Sequence, residues 1–180
     1  LNGDSVLYGS PLLYQRSLDA LFAREVAHSY DGYADGPALS WSDADELARF
    51  VSSVWMVHPF LEGNTRVVGV FLALYLRSMG FDVNNEPFER HAPFFRAALV
   101  RAIYQNRRIG VVPDRSHLLT FLSLLTEEGA PELDYEGLWC VPLFEHPEAI
   151  RNVSPADAAP MQRQLQAEGV SQRLRSHRPA

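Results

Sequence analysis

The sequence predicts an all-α protein. Apolar residues recur at three- and four-residue steps in several segments, as they do on the buried face of an amphipathic helix. Capping residues precede several of these segments, and glycine or proline follows them. The chain has 180 residues, of which 47% are hydrophobic and 21% charged, which is ordinary for a globular protein with a single core.

The first third of the chain predicts two helices separated by a loop. Leucines recur through residues 11–30, which predicts a helix or a helix followed by a loop. Residues 31–40 contain two glycines and a proline, which predict a loop. A second helix begins near Ser42, with acidic residues in its first turn, and Pro59 ends it. Its core face is predicted to consist of Leu47, Phe50, Val51, Val54 and Trp55.

Three more helices are predicted along the middle of the chain. The first runs from about Asn64 to about Met79 and stops at Gly80. Its β-branched residues permit a strand, but its length favours a helix, and its apolar surface on nearly all sides predicts a central buried one. Further helices are predicted at residues 86–108 and 116–127. The inward residues of the 86–108 helix are predicted to be Phe94, Phe95, Ala98, Leu99, Ala102 and Ile103.

The helical pattern weakens after Pro131. Residues 138–144 could form a short extended piece, and a capping pattern predicts a helix at about residues 155–168. We therefore expect a helical domain at residues 1–130 and a C-terminal extension at residues 131–180.

Charge and cysteine content exclude several classes of protein. A formal net charge of −6 argues against a broad nucleic-acid surface, so no nucleic-acid partner is expected. The single cysteine, Cys140, excludes an internal disulfide and a cysteine zinc cluster. No apolar run approaches the roughly 20 residues of a membrane span, and no secretory signal is visible. We expect no membrane partner and a cytoplasmic location, with delivery into a host cell left open.

One segment concentrates more chemistry than any other, and it reads His58-Pro59-Phe60-Leu61-Glu62-Gly63-Asn64-Thr65-Arg66. A neutral His58 imidazole can take a proton from a hydroxyl near pH 7. Glu62 is a hard oxygen donor suited to Mg²⁺. The residues after it open a helix, so Gly63, Asn64 and Thr65 present free backbone N–H groups to an anion.

Arg66 adds a charged fork for phosphate oxygens, which completes a set suited to nucleotide phosphates. Each residue also has an ordinary explanation. A histidine at a helix end is often only partly exposed, a Gly-Asn pair is often a turn, and Arg66 could pair with Glu62. Phe60 is predicted to anchor the loop in the core. The combination within one loop favours a functional site over these separate explanations.

This segment resembles the Fic-domain motif, HPFx(D/E)GN(G/x)R. The resemblance extends through residues 67–86 and 95–102, and it covers roughly residues 5–127, in the manner of bacterial Fic proteins. It implies a Fic-fold helical bundle with a small β-hairpin flap before the motif helix. The residues from Arg24 to Tyr33 would occupy the place of that flap, which aligns the target chain by backbone pairing.

The resemblance also implies an activity, because most characterised Fic domains transfer AMP from ATP to a protein hydroxyl. His58 would deprotonate a Ser, Thr or Tyr of the target protein, and Glu62 would hold Mg²⁺ between the α- and β-phosphates. Gly63, Asn64 and Thr65 would cradle the phosphates, and Arg66 would bind the β or γ group. The implied partners are ATP, a target protein, and an inhibitory partner or the protein itself.

Two positions depart from the family pattern. Thr65 replaces the commonest glycine, and Gly69 stands where many relatives have a second arginine. Residues 164–169 are similar to the family's inhibitory motif, (S/T)xxxE(G/N), but begin with Gln. An ordinary glutamate before a helix-stopping glycine is the favoured explanation of that segment. Because Gly69 stands in place of the second arginine, inhibition by pairing with that arginine is not expected.

Other functions stay open on the sequence alone. The donor could be UTP, GTP or a phosphocholine carrier, or the reaction could be the hydrolytic removal of AMP. The protein could also be a catalytically silent Fic-fold binding module. A zinc hydrolase that uses His58 and Glu62 is disfavoured, because no third ligand follows at a suitable spacing.

Overall fold

The computed structural model of the protein describes residues 4–5, 8–30, 39–127, 131–138 and 140. They belong to two compact units. The larger, which we call the helical unit, comprises the described residues within 8–104 and 113–138. The smaller contains the described residues 4–5, 105–112 and 140.

The all-α class is confirmed, because the described part of the helical unit contains six α-helices: α1 (Tyr14–Ala27), α2 (Trp41–Val57), α3 (Asn64–Ser78), α4 (Glu86–Arg90), α5 (Ala92–Ile103) and α6 (Ser116–Thr126). A 3-10 turn, Pro11–Leu13, precedes α1. The central helix is α2, which packs against α1, α3, α5 and α6. No helix in the described part of the chain is long and apolar enough to cross a bilayer.

The predicted core face of α2 is present. Leu47, Phe50, Val51 and Trp55 are buried, whereas Val54, also predicted for this face, is only half-buried. The helix begins slightly earlier than predicted, because Ser40 is the N-cap and its hydroxyl accepts a hydrogen bond from the backbone N–H of Asp43 over 3.2 Å. In α1, by contrast, the buried residue is Glu25. The apolar residues Phe22 and Val26 of this helix are exposed, as are Leu12 and Leu13 just before it.

The prediction that α3 is a central buried helix is wrong, although its first residue is the predicted one. One face is buried through Val68, Leu72 and Leu76. On the other face, Val67, Val70 and Leu74 are 47%, 56% and 57% exposed. The helix packs against α2 on one side, and an apolar side chain does not by itself secure a packing partner on the other.

The predicted helix at residues 86–108 is two helices, α4 and α5. Pro93 lies in the first turn of α5, where its missing N–H costs nothing, whereas inside a longer helix its ring would collide with the preceding turn. The helix also ends at Ile103. In the smaller unit, strand β2 (Gln105–Asn106) pairs antiparallel with β1 (Asp4–Ser5), and the sequence analysis missed this pairing.

The predicted flap is not present where the structure describes its residues. The chain from Arg24 to Ala27 continues α1, and residues 31–38 lie outside the described residues. Leu138 lies in a turn rather than an extended piece. The helix predicted at about residues 155–168 and the glutamate-containing segment at residues 164–169 also lie outside the described part of the chain, and the division near residue 130 stays a prediction.

Candidate functional site

A cleft of about 880 Å³ lies in the helical unit, at the N-terminus of α3. Its walls come from the loop between α2 and α3 and from α3, α4 and α5. All the site residues named from the sequence line it: His58, Glu62, Gly63, Asn64, Thr65 and Arg66. Residues that the sequence did not predict to belong to the site line it too, among them Tyr8, Gly69, Phe88, Glu89, Phe95 and Arg96.

His58 lies at the end of α2, where its backbone adopts a left-handed conformation with φ 52°. Its ring packs against Tyr8, with 3.9 Å between ring centroids, and meets Trp55 edge-on at 5.5 Å. Its Nδ1 atom is buried and has no hydrogen-bond partner among the described residues. Nε2 is therefore the ring nitrogen that can face a ligand in the cleft.

Tyr8 was missed by the sequence analysis. The adjacent Gly9 donates its backbone N–H to the carbonyl oxygen of Met56 over 2.9 Å. A Cβ atom on Gly9 would lie only 2.9 Å from the carbonyl oxygen of Val57, so glycine permits this segment to lie against the end of α2. The contact holds Tyr8 over His58. No sequence pattern could have indicated it, because the two residues belong to distant segments.

Asn64 closes the loop that leads into α3. Its side chain is buried and makes two hydrogen bonds to the backbone of Phe60. Its Oδ1 accepts from the N–H over 3.0 Å, and its Nδ2 donates to the carbonyl oxygen over 2.6 Å. The Asn64 side chain is thus engaged in closing the loop, and its backbone N–H is the group that it contributes at the helix N-terminus. The prediction that Phe60 anchors the loop is wrong, because that side chain is 51% exposed and Asn64 holds the loop instead.

The N-terminus of α3 presents unbonded backbone donors to the cleft. Gly63 is the N-cap, with φ 79°, and the first bond of the helix runs from the N–H of Val67 to the carbonyl oxygen of Gly63 over 2.9 Å. The N–H groups of Gly63, Asn64, Thr65 and Arg66 consequently have no acceptor within the helix, which is the arrangement of an anion site.

Thr65 has a structural role of its own. Its Oγ1 accepts a hydrogen bond from the buried Trp55 Nε1–H over 3.0 Å. The indole N–H of a buried tryptophan needs such a partner. A glycine at this position could not provide it.

The charged side chains that line the cleft form no ion pairs with described residues. Glu62 and Arg66 are exposed, and neither forms an ion pair with any described residue, so the pairing of Arg66 with Glu62 is not observed. Glu89 on α4 and Arg96 on α5 are exposed and unpaired in the same sense. Both signs of charge are therefore available to a ligand that carries phosphate and a cation.

The donor set fits Mg²⁺ better than zinc. Mg²⁺ needs only one or two protein carboxylates, because water and substrate phosphates supply its other ligands. Glu62 is an exposed carboxylate on the same cleft as the α3 N-terminus, which meets that requirement. The described residues contain no group of three His, Cys, Asp or Glu side chains able to hold a metal ion.

Compared with models of known protein families, with curated proteins and with solved structures, the chain matches none.

Proposed function

We propose that this protein is a Fic-type AMP transferase, which moves AMP from ATP to a hydroxyl side chain of a target protein. The observation that carries the proposal is that His58, Glu62 and the N-terminus of α3 line the same cleft. A base, an oxygen ligand for Mg²⁺ and an anion site then surround one volume. That volume, about 880 Å³, is within the range of small-molecule and cofactor sites.

His58 acts as the general base in this reaction. Its Nε2 takes the proton of the target hydroxyl, and the resulting oxygen nucleophile attacks the α-phosphorus of ATP. The new oxygen–phosphorus bond forms as the bond from the α-phosphorus to the bridging oxygen breaks. Pyrophosphate leaves, and AMP stays on the target. The ring contacts with Tyr8 and Trp55 restrict the orientation of the imidazole.

The N-terminus of α3 stabilises the negative charge on the phosphates. The backbone N–H groups of Asn64, Thr65 and Arg66 are fixed by the helix before the nucleotide binds, so no reorganisation is needed as charge develops. The Arg66 guanidinium contributes a fork of donors. Glu62 would hold Mg²⁺, which when bound neutralises charge on the departing diphosphate.

The test is transfer of label from ATP radiolabelled at the α-phosphate, in the presence of Mg²⁺ and a cell lysate. We expect a labelled protein band whose labelling falls by about 10²- to 10⁴-fold in His58→Ala, as for the loss of a general base. His91→Ala is the matched control, since His91 does not line the cleft and bonds to Tyr135. Intact mass spectrometry would record self-modification as the gain of one AMP.

Parallel incubations with GTP, UTP and CTP determine the donor. If His58→Ala labels as well as the wild type, or if none of the four nucleotides transfers label and none binds to the protein, the proposal is wrong. Calorimetric titration with Mg²⁺ and ATP separates an inactive binding module from an enzyme without its target, because a vestigial pocket would bind no nucleotide.

A further inference from the structure

Two arginines border the cleft from different helices. Arg66 lies in the first turn of α3, and Arg96 lies on α5. Both are exposed and neither pairs with a described carboxylate, although Glu62 and Glu89 line the same cleft. Several other arginines of the helical unit do have such partners: Arg49 with Glu46 at 2.6 Å, Arg90 with Glu86 at 3.1 Å and Arg115 with Asp45 at 2.8 Å.

The next residue of α3 that lines the cleft after Arg66 cannot provide a second cation. It is Gly69, where a Cβ atom would already lie 3.2 Å from Cδ1 of Phe88 and 3.6 Å from Cε1 of Phe95. A longer side chain would require Phe88 to move. A second guanidinium on this wall therefore has to come from another helix.

The backbone that carries Arg96 is firmly anchored. The preceding residue, Phe95, is buried and stacks on Phe121 of α6 with 4.8 Å between ring centroids. Such packing fixes the position of α5, while the exposed Arg96 side chain keeps the freedom to reach a ligand.

The chemistry of two separated guanidinium groups suits a polyphosphate. One phosphate can be bound by the N–H groups of α3 together with Arg66. A second fork on a separate helix adds little to a monophosphate but can bind the far end of an extended phosphate chain.

We propose that Arg96 binds the terminal phosphate of the donor nucleotide and makes the site select triphosphates over diphosphates. This inference rests on the proposed function, because it assumes that the cleft binds a nucleotide. In this proposal Arg96 determines which nucleotide binds. His58 remains the general base for the reaction at the α-phosphorus.

The test is calorimetric titration with α,β-methylene ATP and α,β-methylene ADP in the presence of Mg²⁺. Neither analogue has a cleavable bond between the α- and β-phosphates, so binding is measured without transfer. In Arg96→Gln we expect the ATP analogue to bind about 10- to 100-fold more weakly, since a charge-assisted phosphate contact is lost. The ADP analogue should change by less than about threefold.

Arg90→Gln is the matched control, because Arg90 is exposed but does not line the cleft. It should leave both affinities within about twofold of wild type, as expected for an exposed charge screened by salt. Circular dichroism and the thermal midpoint check that both variants fold, which their exposed positions favour.

The outcomes separate the two proposals. Suppose that the wild type binds both analogues. If Arg96→Gln then weakens the binding of both analogues equally, or leaves both affinities unchanged, the assignment of Arg96 is wrong and the proposed function stands. If the wild type binds neither analogue, the assignment of the cleft as a nucleotide site is wrong, and both proposals are wrong with it.

Discussion

Asn64 is the residue on which the geometry of the site depends most. A buried amide that both donates to and accepts from the same backbone residue leaves Phe60 little freedom. The loop that it closes carries Glu62 and leads directly into the first turn of α3, whose N–H groups form the proposed anion site. The Asn64 side chain would therefore act on a ligand only indirectly, by fixing the loop and these N–H groups.

We predict that Asn64→Ala lowers the free energy of unfolding by about 1–3 kcal/mol, because the two hydrogen bonds between the buried Asn64 amide and the backbone of Phe60 are lost. Urea denaturation measures the change. Asn84→Ala is the control, since Asn84 is exposed and makes one local bond, to the N–H of Glu86, and it should cost less than about 1 kcal/mol. Equal stability of Asn64→Ala and wild type would contradict the role given to Asn64.

At the level of elements, hydrogen bonds between polar side chains link helices whose pairing the apolar pattern does not predict. Glu25 on α1 is buried and accepts hydrogen bonds from the hydroxyls of Tyr30 and of Tyr75 on α3, the latter over 2.7 Å. Burial and the bond to Glu25 raise the pKa of the Tyr30 hydroxyl, so it remains a donor throughout the physiological range. These bonds link α1 to α3.

A second polar contact joins α2 to the start of α6. The Nε and Nη2 atoms of Arg115 donate to the Asp45 carboxylate, over 2.8 and 3.0 Å, and Arg49 donates to the same carboxylate over 3.0 Å. The bonds from Arg115 hold the pKa of Asp45 below its usual value. A carboxylate with a depressed pKa stabilises the fold at pH values where it is ionised.

We predict that Asp45→Asn lowers the free energy of unfolding by about 1–3 kcal/mol at pH 7. The contribution of Asp45 is complete above the unfolded-state pKa of about 3.9 and is lost as the pH falls through the lower folded-state value. Urea denaturation from pH 7 to pH 3 should therefore show the difference from wild type shrinking below about pH 4.

Asp19→Asn is the matched control for this pH dependence. Asp19 is exposed, and its carboxylate accepts a bond from Gln15. Its effect should stay within about 0.5 kcal/mol at every pH, as for most surface substitutions. A difference between Asp45→Asn and wild type that is constant with pH would rule out the ion pair as its source.

At the scale of the whole helical unit, the core and the cleft share side chains. Phe121 of α6 is fully buried and contacts Phe88 at 5.4 Å and Phe95 at 4.8 Å between ring centroids. Both partners also line the cleft. The wall of the candidate site is thus the outer layer of the aromatic core, and a change in one should alter the other.

We predict that Phe121→Ala costs about 3–5 kcal/mol of stability and weakens nucleotide binding where the protein is still folded, because the wall loses its support. Thermal unfolding and calorimetry measure the two effects. Phe60→Ala is the stability control, since that ring is half-exposed and should cost less than about 1 kcal/mol. Intact binding in a folded Phe121→Ala would show that the cleft does not depend on this core.

The sequence by itself determined the helical class, the start of α3 and the residues of the loop from His58 to Arg66. These follow from local rules, because helical period and capping act over a few residues and a contiguous loop stays together wherever it lies. The break at Pro93 could have been predicted from the same rules.

Only the tertiary structure decided which groups meet that loop. It placed Tyr8 over His58, brought Arg96 to the cleft and left one apolar face of α3 exposed. Each depends on packing between segments that are distant in the chain, and periodicity shows which face of a helix is apolar but not what covers it.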